Sequence, residues 1–168
     1  MRFGPVPTSQ AEGAVLAHAT EAAEPVCDGS SVYRIPKGTV LTARHLADLA
    51  AHKVGTVIVA RLDPGDVAED AAASRLATAL AGQGLDVGAA GTGRVNLRAA
   101  HAGIVDLDAA AIDAVNRVDP GITLATVPRW RRMAAGGLVA TIKIIPFAVP
   151  GPALERACAL ATDAMRLQ

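Results

Sequence analysis

Residues 122–150 read ITLATVPRWRRMAAGGLVATIKIIPFAVP, and the way this stretch divides decides the fold class. Two apolar runs, 122–127 and 138–149, flank a basic, glycine-containing middle, the pattern of two neighbouring strands joined across a loop. The second run is rich in β-branched residues. Pro146 and Pro150 would interrupt a helix there but suit a strand edge or a strand end. The expectation is a β-rich core segment, and no catalytic constellation lies on it.

The basic middle, PRWRRM at 128–133, sets three arginines beside the single tryptophan. Such a cluster can clamp a phosphate bidentately with the indole against a pterin or nucleotide ring, or it can be a solvated hairpin loop. Lys143 stands alone in the apolar run VATIKIIP, so it must snorkel, pair with an acid or contact a ligand.

Working back from this segment, 94–99 alternates Val95 and Leu97 against Arg94, Asn96 and Arg98, an edge or half-buried strand with a polar face. Ile104 and Val105 make a short strand, after which Asp106 or Asp108 caps a helix with Ala109, Ile112 and Val115 inward. Residues 85–93 hold three glycines and read as a flexible connector between two lobes, 1–84 and 85–168. Residues 63–83 read as a helix with Asp66, Glu69 and Asp70 in its first turns, where the macrodipole favours negative charge. Those three carboxylates are also candidates for metal binding or acid/base chemistry. In the other direction, Leu154, Cys158 and Ala161 recur at helical spacing with Met165 next, which predicts an amphipathic C-terminal helix.

The N-terminal third is less regular. Thr8 or Ser9 can cap a short helical turn, with Glu12 in capping-box spacing from Ser9. Residues 14–20 are a strand candidate with Val15 and Ala17 inward and His18 on the opposite side, and 21–31 read as a loop. Val32 to Ile35 make a short strand and Pro36, Lys37 and Gly38 a turn. Val40 and Leu41 return to the core, and Thr42 caps a helix carrying Leu46, Leu49 and Ala50. Residues 56–62 form a strand apolar enough to be central.

Composition narrows the classes. Hydrophobic residues make up 51% of the 168 but aromatic ones only 2%, so the interior must be aliphatic and a base-stacking platform is poorly supplied. Sixteen basic residues balance sixteen acidic ones, which removes a general field for nucleic acid or an anionic membrane. Cys27 and Cys158 lie far apart without metal-site spacing and read as unpaired thiols in a reducing compartment. With neither a signal-peptide pattern nor eighteen uninterrupted apolar residues, the expectation is a cytoplasmic protein without a membrane span.

The strand, turn, helix and strand around KGTVLT at 37–42 resemble a module of the molybdopterin molybdotransferase family, and also the SAF-type β-clip. Along the chain, GDVAEDAAA, GRVNL, a glycine before IVDLD, AIDAVN, ITLAT and VATIKIIPFAVP resemble, in that order, the N-terminal part of bacterial molybdopterin-binding proteins related to that transferase. The likeness covers nearly all of residues 1–160. It implies an α+β region of β-rich mixed sheets and short helices that supports binding or transfer of a phosphorylated pterin, molybdopterin or the molybdenum cofactor, possessed of no catalytic residues of its own and disposed to form a homodimer. Arg94, Asn96, Arg98 and Lys143 are the polar candidates for the pterin phosphate. In such proteins the chemistry belongs chiefly to a following molybdopterin-binding domain, in some with a nucleotidyltransferase domain after it, and no TG-rich phosphate loop precedes Gln168 here. Two other readings stay open: a scaffold or dimerisation module with no ligand site, and a β-clip binding a small anion beside Lys37.

Overall fold

The computed structural model describes residues 1–26 and 29–168, and the side chains of all of these outside 24–30. Cys27, expected as an unpaired thiol, lies outside the described residues. The fold is α+β, with more residues in strands than in helices, so strand pairing sets the architecture. Two compact units divide the chain, Met1–Pro64 and Gly65–Gln168.

In the first unit, strands β1 (Arg2–Pro7), β2 (Val15–Leu16), β3 (Thr20–Val26) and β4 (Gly29–Ile35) are followed by helix α1 (Ala43–Ala51) and strand β5 (Thr56–Arg61). The apolar run of β5 takes the central place expected of it, in the order β1-β5-β2. Within the segment 21–31, residues 21–26 and 29–31 are strand, not loop: β3 and β4 pair antiparallel from Thr20↔Ile35 to Val26↔Gly29, a pairing their acidic, serine-containing sequence disguises, and Cys27 and Asp28 lie outside the described residues. Of the inward pair expected in 14–20, Ala17 is buried but Val15 is only partly covered, while Ala14 and Leu16 are buried instead; His18 is exposed. Thr8 opens a 3-10 turn without capping it, its hydroxyl donating instead to the Val54 carbonyl at 2.6 Å.

Helix α1 begins as read. The Thr42 hydroxyl accepts from the His45 backbone N–H, and the His45 ring closes a capping box. Its inward face holds Leu49 and Asp48 rather than Ala50, because the Tyr33 hydroxyl donates to Asp48 Oδ2 at 2.6 Å and satisfies the buried carboxylate. Leu41 is buried but Val40 is exposed, so only one of the pair returns to the core.

The second unit contains β6 (Asp66–Ala68), α2 (Glu69–Leu80), β7 (Leu85–Val87), β8 (Arg94–Ala99), β9 (Gly103–Leu107), α3 (Ala109–Asn116), β10 (Ile122–Thr126), β11 (Arg132–Met133), β12 (Leu138–Ile144), β13 (Ala148–Pro150), α4 (Gly151–Ala161) and β14 (Met165–Leu167). The two apolar runs of the central stretch pair antiparallel as β10 and β12, from Ile122↔Ile144 to Thr126↔Ala140. Their sheet has the order β10-β12-β8-β7. One face of it buries Val95, Leu97, Ile122, Leu124, Ile142 and Ile144 in a single cluster with Leu76 and Leu80 of α2, Ile112 and Val115 of α3, and Leu154 of α4. These are the aliphatic side chains that composition required.

Three local expectations change here. Residues 85–93 are no connector: β7 pairs with β8, and Thr92 and Gly93, with φ of 49° and 70°, make the two-residue turn that carries the chain back as Arg94. Helix α2 starts at Glu69 while Asp66 belongs to β6, and α2 buries its Leu76 and Leu80 in the second unit. The division therefore falls at Pro64, not after residue 84. The C-terminal helix ends at Ala161, and Met165 lies on β14, which pairs with β9 from Met165↔Leu107 to Leu167↔Val105. No helix among the described residues is long and apolar enough to cross a membrane.

Candidate functional site

The helices cover one face of the four-stranded sheet, and period-two alternation turns every second residue of β8, β12 and β10 to the other. Arg94, Asn96 and Arg98 of β8 therefore share the open face with Thr141 and Lys143 of β12 and Thr123 of β10. The register places them in rows. Thr123, Lys143 and Arg94 lie opposite one another across three strands, and Ala125, Thr141 and Asn96 form the next row. All four sequence candidates are thus brought to one surface. Asn96 and Lys143 are half-buried, and Arg94 and Arg98 are exposed.

Each row has its own chemistry. The Thr141 hydroxyl donates to Asn96 Oδ1 at 2.8 Å, which leaves the Asn96 amide N–H groups aimed away from that partner. The Thr123 hydroxyl donates to the Lys143 carbonyl at 2.8 Å. Arg98 donates to the Gly136 carbonyl at 2.8 Å and stands opposite Asp86 of β7, so its charge is partly answered. Lys143 and Arg94 differ: they are direct cross-strand partners of like charge, and among the described residues neither has a carboxylate within ion-pair distance. Like charges directly opposed on a sheet oppose folding. An anion bridging them would relieve that repulsion.

The turn that presents Arg94 is tightly held. The Gly93 N–H donates to Asp70 Oδ1 at 2.7 Å, and a Cβ at Gly93 would stand 2.6 Å from both the Ile144 carbonyl and Glu69 Oε2. Thr92 keeps a positive φ that β-branched residues rarely adopt, a strain that persists only where the surroundings impose it. Asp70 therefore serves as the anchor of this turn. Beside Thr141, a small recess of about 220 Å³ runs between β10 and β12 past Ala125, Val127 and Leu138.

A second group of polar residues, which sequence reasoning missed, centres on the largely buried Asp106 of β9. Its carboxylate accepts from Arg129 at 2.9 and 3.0 Å and from Arg166 of β14 at 2.8 Å. Burial pushes its pKa up, but the hydrogen bonds and charges of Arg129 and Arg166 outweigh this and hold it below the usual carboxylate range. Next to it Asp108 caps α3, accepting from the Ala110 and Ala111 N–H groups as its sequence position suggested. The cleft beside them, of about 550 Å³, has its two arginines already engaged by Asp106, which makes this cluster a structural clamp.

Arg129 also lies over the Trp130 ring, 4.3 Å from its centroid. In the first unit, Lys37 sits exposed on the turn closed by Thr39, whose hydroxyl donates to the Pro36 carbonyl at 2.8 Å. Cys158, a free thiol, is half-buried beside Arg75 and Thr78, and burial pushes its pKa up. Among the described residues no group of three or more His, Cys, Asp or Glu side chains is placed to hold a metal ion, so Glu69 and Asp70 carry no metal assignment. No protein-family model, characterised protein or solved structure matches this chain.

Proposed function

We propose that this chain is a non-catalytic platform for handling a phosphorylated pterin, molybdopterin or the molybdenum cofactor, with the ligand on the open face of the β10-β12-β8-β7 sheet. The observation that supports it most is the Arg94–Lys143 pair, two cations in direct register without a carboxylate between them. The phosphate would lie across that pair. The Asn96 amide and the Thr123 and Thr141 hydroxyls beside it supply neutral hydrogen bonds to the polar edge of a ligand. Arg98 adds positive potential at the far end of β8.

The residues present fit the phosphate better than the ring. No aromatic side chain occurs on the open faces of β8, β10 or β12, so the pterin would rest on hydrogen bonds and on the recess beside Thr141. Chemistry on the cofactor would belong to another domain or partner, and a homodimer accompanies the reading by the same resemblance, with the cytoplasmic setting expected from the sequence. In the rival scaffold reading these side chains would point separately into solvent; their convergence on one surface argues for a ligand.

The test is thermal unfolding with molybdopterin and with inorganic phosphate as separate additives. The reading expects a rise in midpoint with molybdopterin, a smaller one with phosphate, and loss of both in Lys143→Gln. An unchanged midpoint with molybdopterin at millimolar concentration removes the reading.

A further inference from the structure

Beyond the pterin platform, we propose that the turn at 128–133 is a separate binding site for a nucleoside phosphate, the base stacking on Trp130 and the phosphate held by Arg131 and Arg132. The turn is not a loose basic loop. The Trp130 N–H donates to the Val105 carbonyl at 2.7 Å, and the Val105 N–H donates back to the Arg131 carbonyl at 2.9 Å. The Arg131 N–H closes on the Pro128 carbonyl, and β11 then pairs with β9 at Arg132↔Ile104 and Met133↔Gly103. Arg129 is tied to Asp106.

What this anchoring presents is unusual. Trp130 has a φ of 67°, a left-handed conformation that a bulky side chain adopts only under constraint, yet the residue is 57% exposed. Core packing does not explain a strained tryptophan left in solvent. The Arg129 guanidinium lies over one face of the indole and polarises it, and the exposure of Trp130 lets a second flat group stack on the ring.

The concavity in front of it measures about 620 Å³ and is lined by Ala102, Trp130, Arg131, Arg132, Met133 and Ala134. That is the scale of a site for one small ligand. Its charged lining is entirely cationic. Arg131 and Arg132 have no ion-pair partner among the described residues, whereas Arg117, Arg129 and Arg166 each have one. One stacking surface beside two adjacent guanidinium groups matches a heterocycle carrying a phosphate. An acidic peptide fits less well, because β11 offers an edge only two residues long for it to pair with.

Trp130 is the single tryptophan of the chain, so its fluorescence reads the site directly. Titration of the full chain with ATP and GMP is expected to quench it saturably. Adenosine alone and pyrophosphate alone should each bind about 10-fold more weakly or worse, since each lacks one half of the contact. Arg131→Ala combined with Arg132→Ala should weaken nucleotide binding by at least about 10-fold. Equilibrium dialysis with radiolabelled ATP should show binding lost in Trp130→Ala, with an unchanged unfolding midpoint establishing that this exposed position is not needed for folding. Arg94→Ala and Lys143→Ala should leave the titration as it is, which separates this site from the pterin face. Emission unaffected through millimolar nucleotide, pyrophosphate binding as tightly as ATP, or quenching by an acidic peptide but not by nucleotides would each overturn the proposal.

Discussion

Lys143 and Arg94 show how one residue pair links stability to function. Two cations held in register cost folding free energy, so without ligand Lys143→Thr should raise stability by about half a kcal/mol, read as a higher urea midpoint at unchanged slope. Gly93→Ala should act the other way. It forces a positive φ of 70° on alanine and drives a Cβ against the Ile144 carbonyl and Glu69, which predicts a loss of roughly 2–4 kcal/mol in the same measurement. Asp106 sets the acid limit. Its folded pKa lies below the unfolded one, so its contribution is full above the usual carboxylate range of about 4 and fades as pH falls through the lowered value. Urea midpoints measured from pH 6 down to pH 3 should fall for the natural chain and show a shallower acid slope for Asp106→Asn.

At this scale the alternation in GRVNLR was legible directly, and the same period in LVATIKI points out Thr141 beside Lys143. The Asp106 clamp was not legible, because its partners Arg129 and Arg166 stand 23 and 60 residues away and no local pattern joins them.

Among the elements, β10, β12 and β8 were readable because apolar period and β-branching agree in them. The β3–β4 pair was not, since EAAEPV at 21–26 and GSS at 29–31 carry acidic and turn-favouring residues where tertiary pairing imposes strands. Segment 85–93 misled for the opposite reason: its glycines serve a tight turn and a close approach to neighbouring backbone, not flexibility. Strand β14 escaped because Met165 continues the helical spacing of α4 by coincidence, while Asp163, with a φ of 56°, turns the chain out of it. The pairing with β9 gives that short strand measurable weight. Met165 is fully buried, so Met165→Ala should cost about 2–5 kcal/mol, and hydrogen exchange should accelerate first at Ile104 and Asp108, whose N–H groups donate to the Gln168 and Ala164 carbonyls on either side of β14.

On the scale of the whole molecule, two hydrophobic clusters draw on separate lengths of chain. One runs from Ala11 to Val59, and the other takes all its members from Val67 onward with the sheet at its centre. Leu49→Ala should therefore destabilise the first unit by about 2–5 kcal/mol while the unfolding midpoint read by Trp130, in the second unit, stays where it was. The face opposite the second cluster is where rigidity and charge coincide. Calorimetric titration of the full chain with molybdopterin, set beside the Arg94→Ala and Lys143→Ala double variant, tests that assignment most directly. Binding heat is expected for the natural chain, with an affinity at least about 10-fold weaker for the variant; no heat with the natural chain, or equal affinity in both, would rule out a ligand on that face.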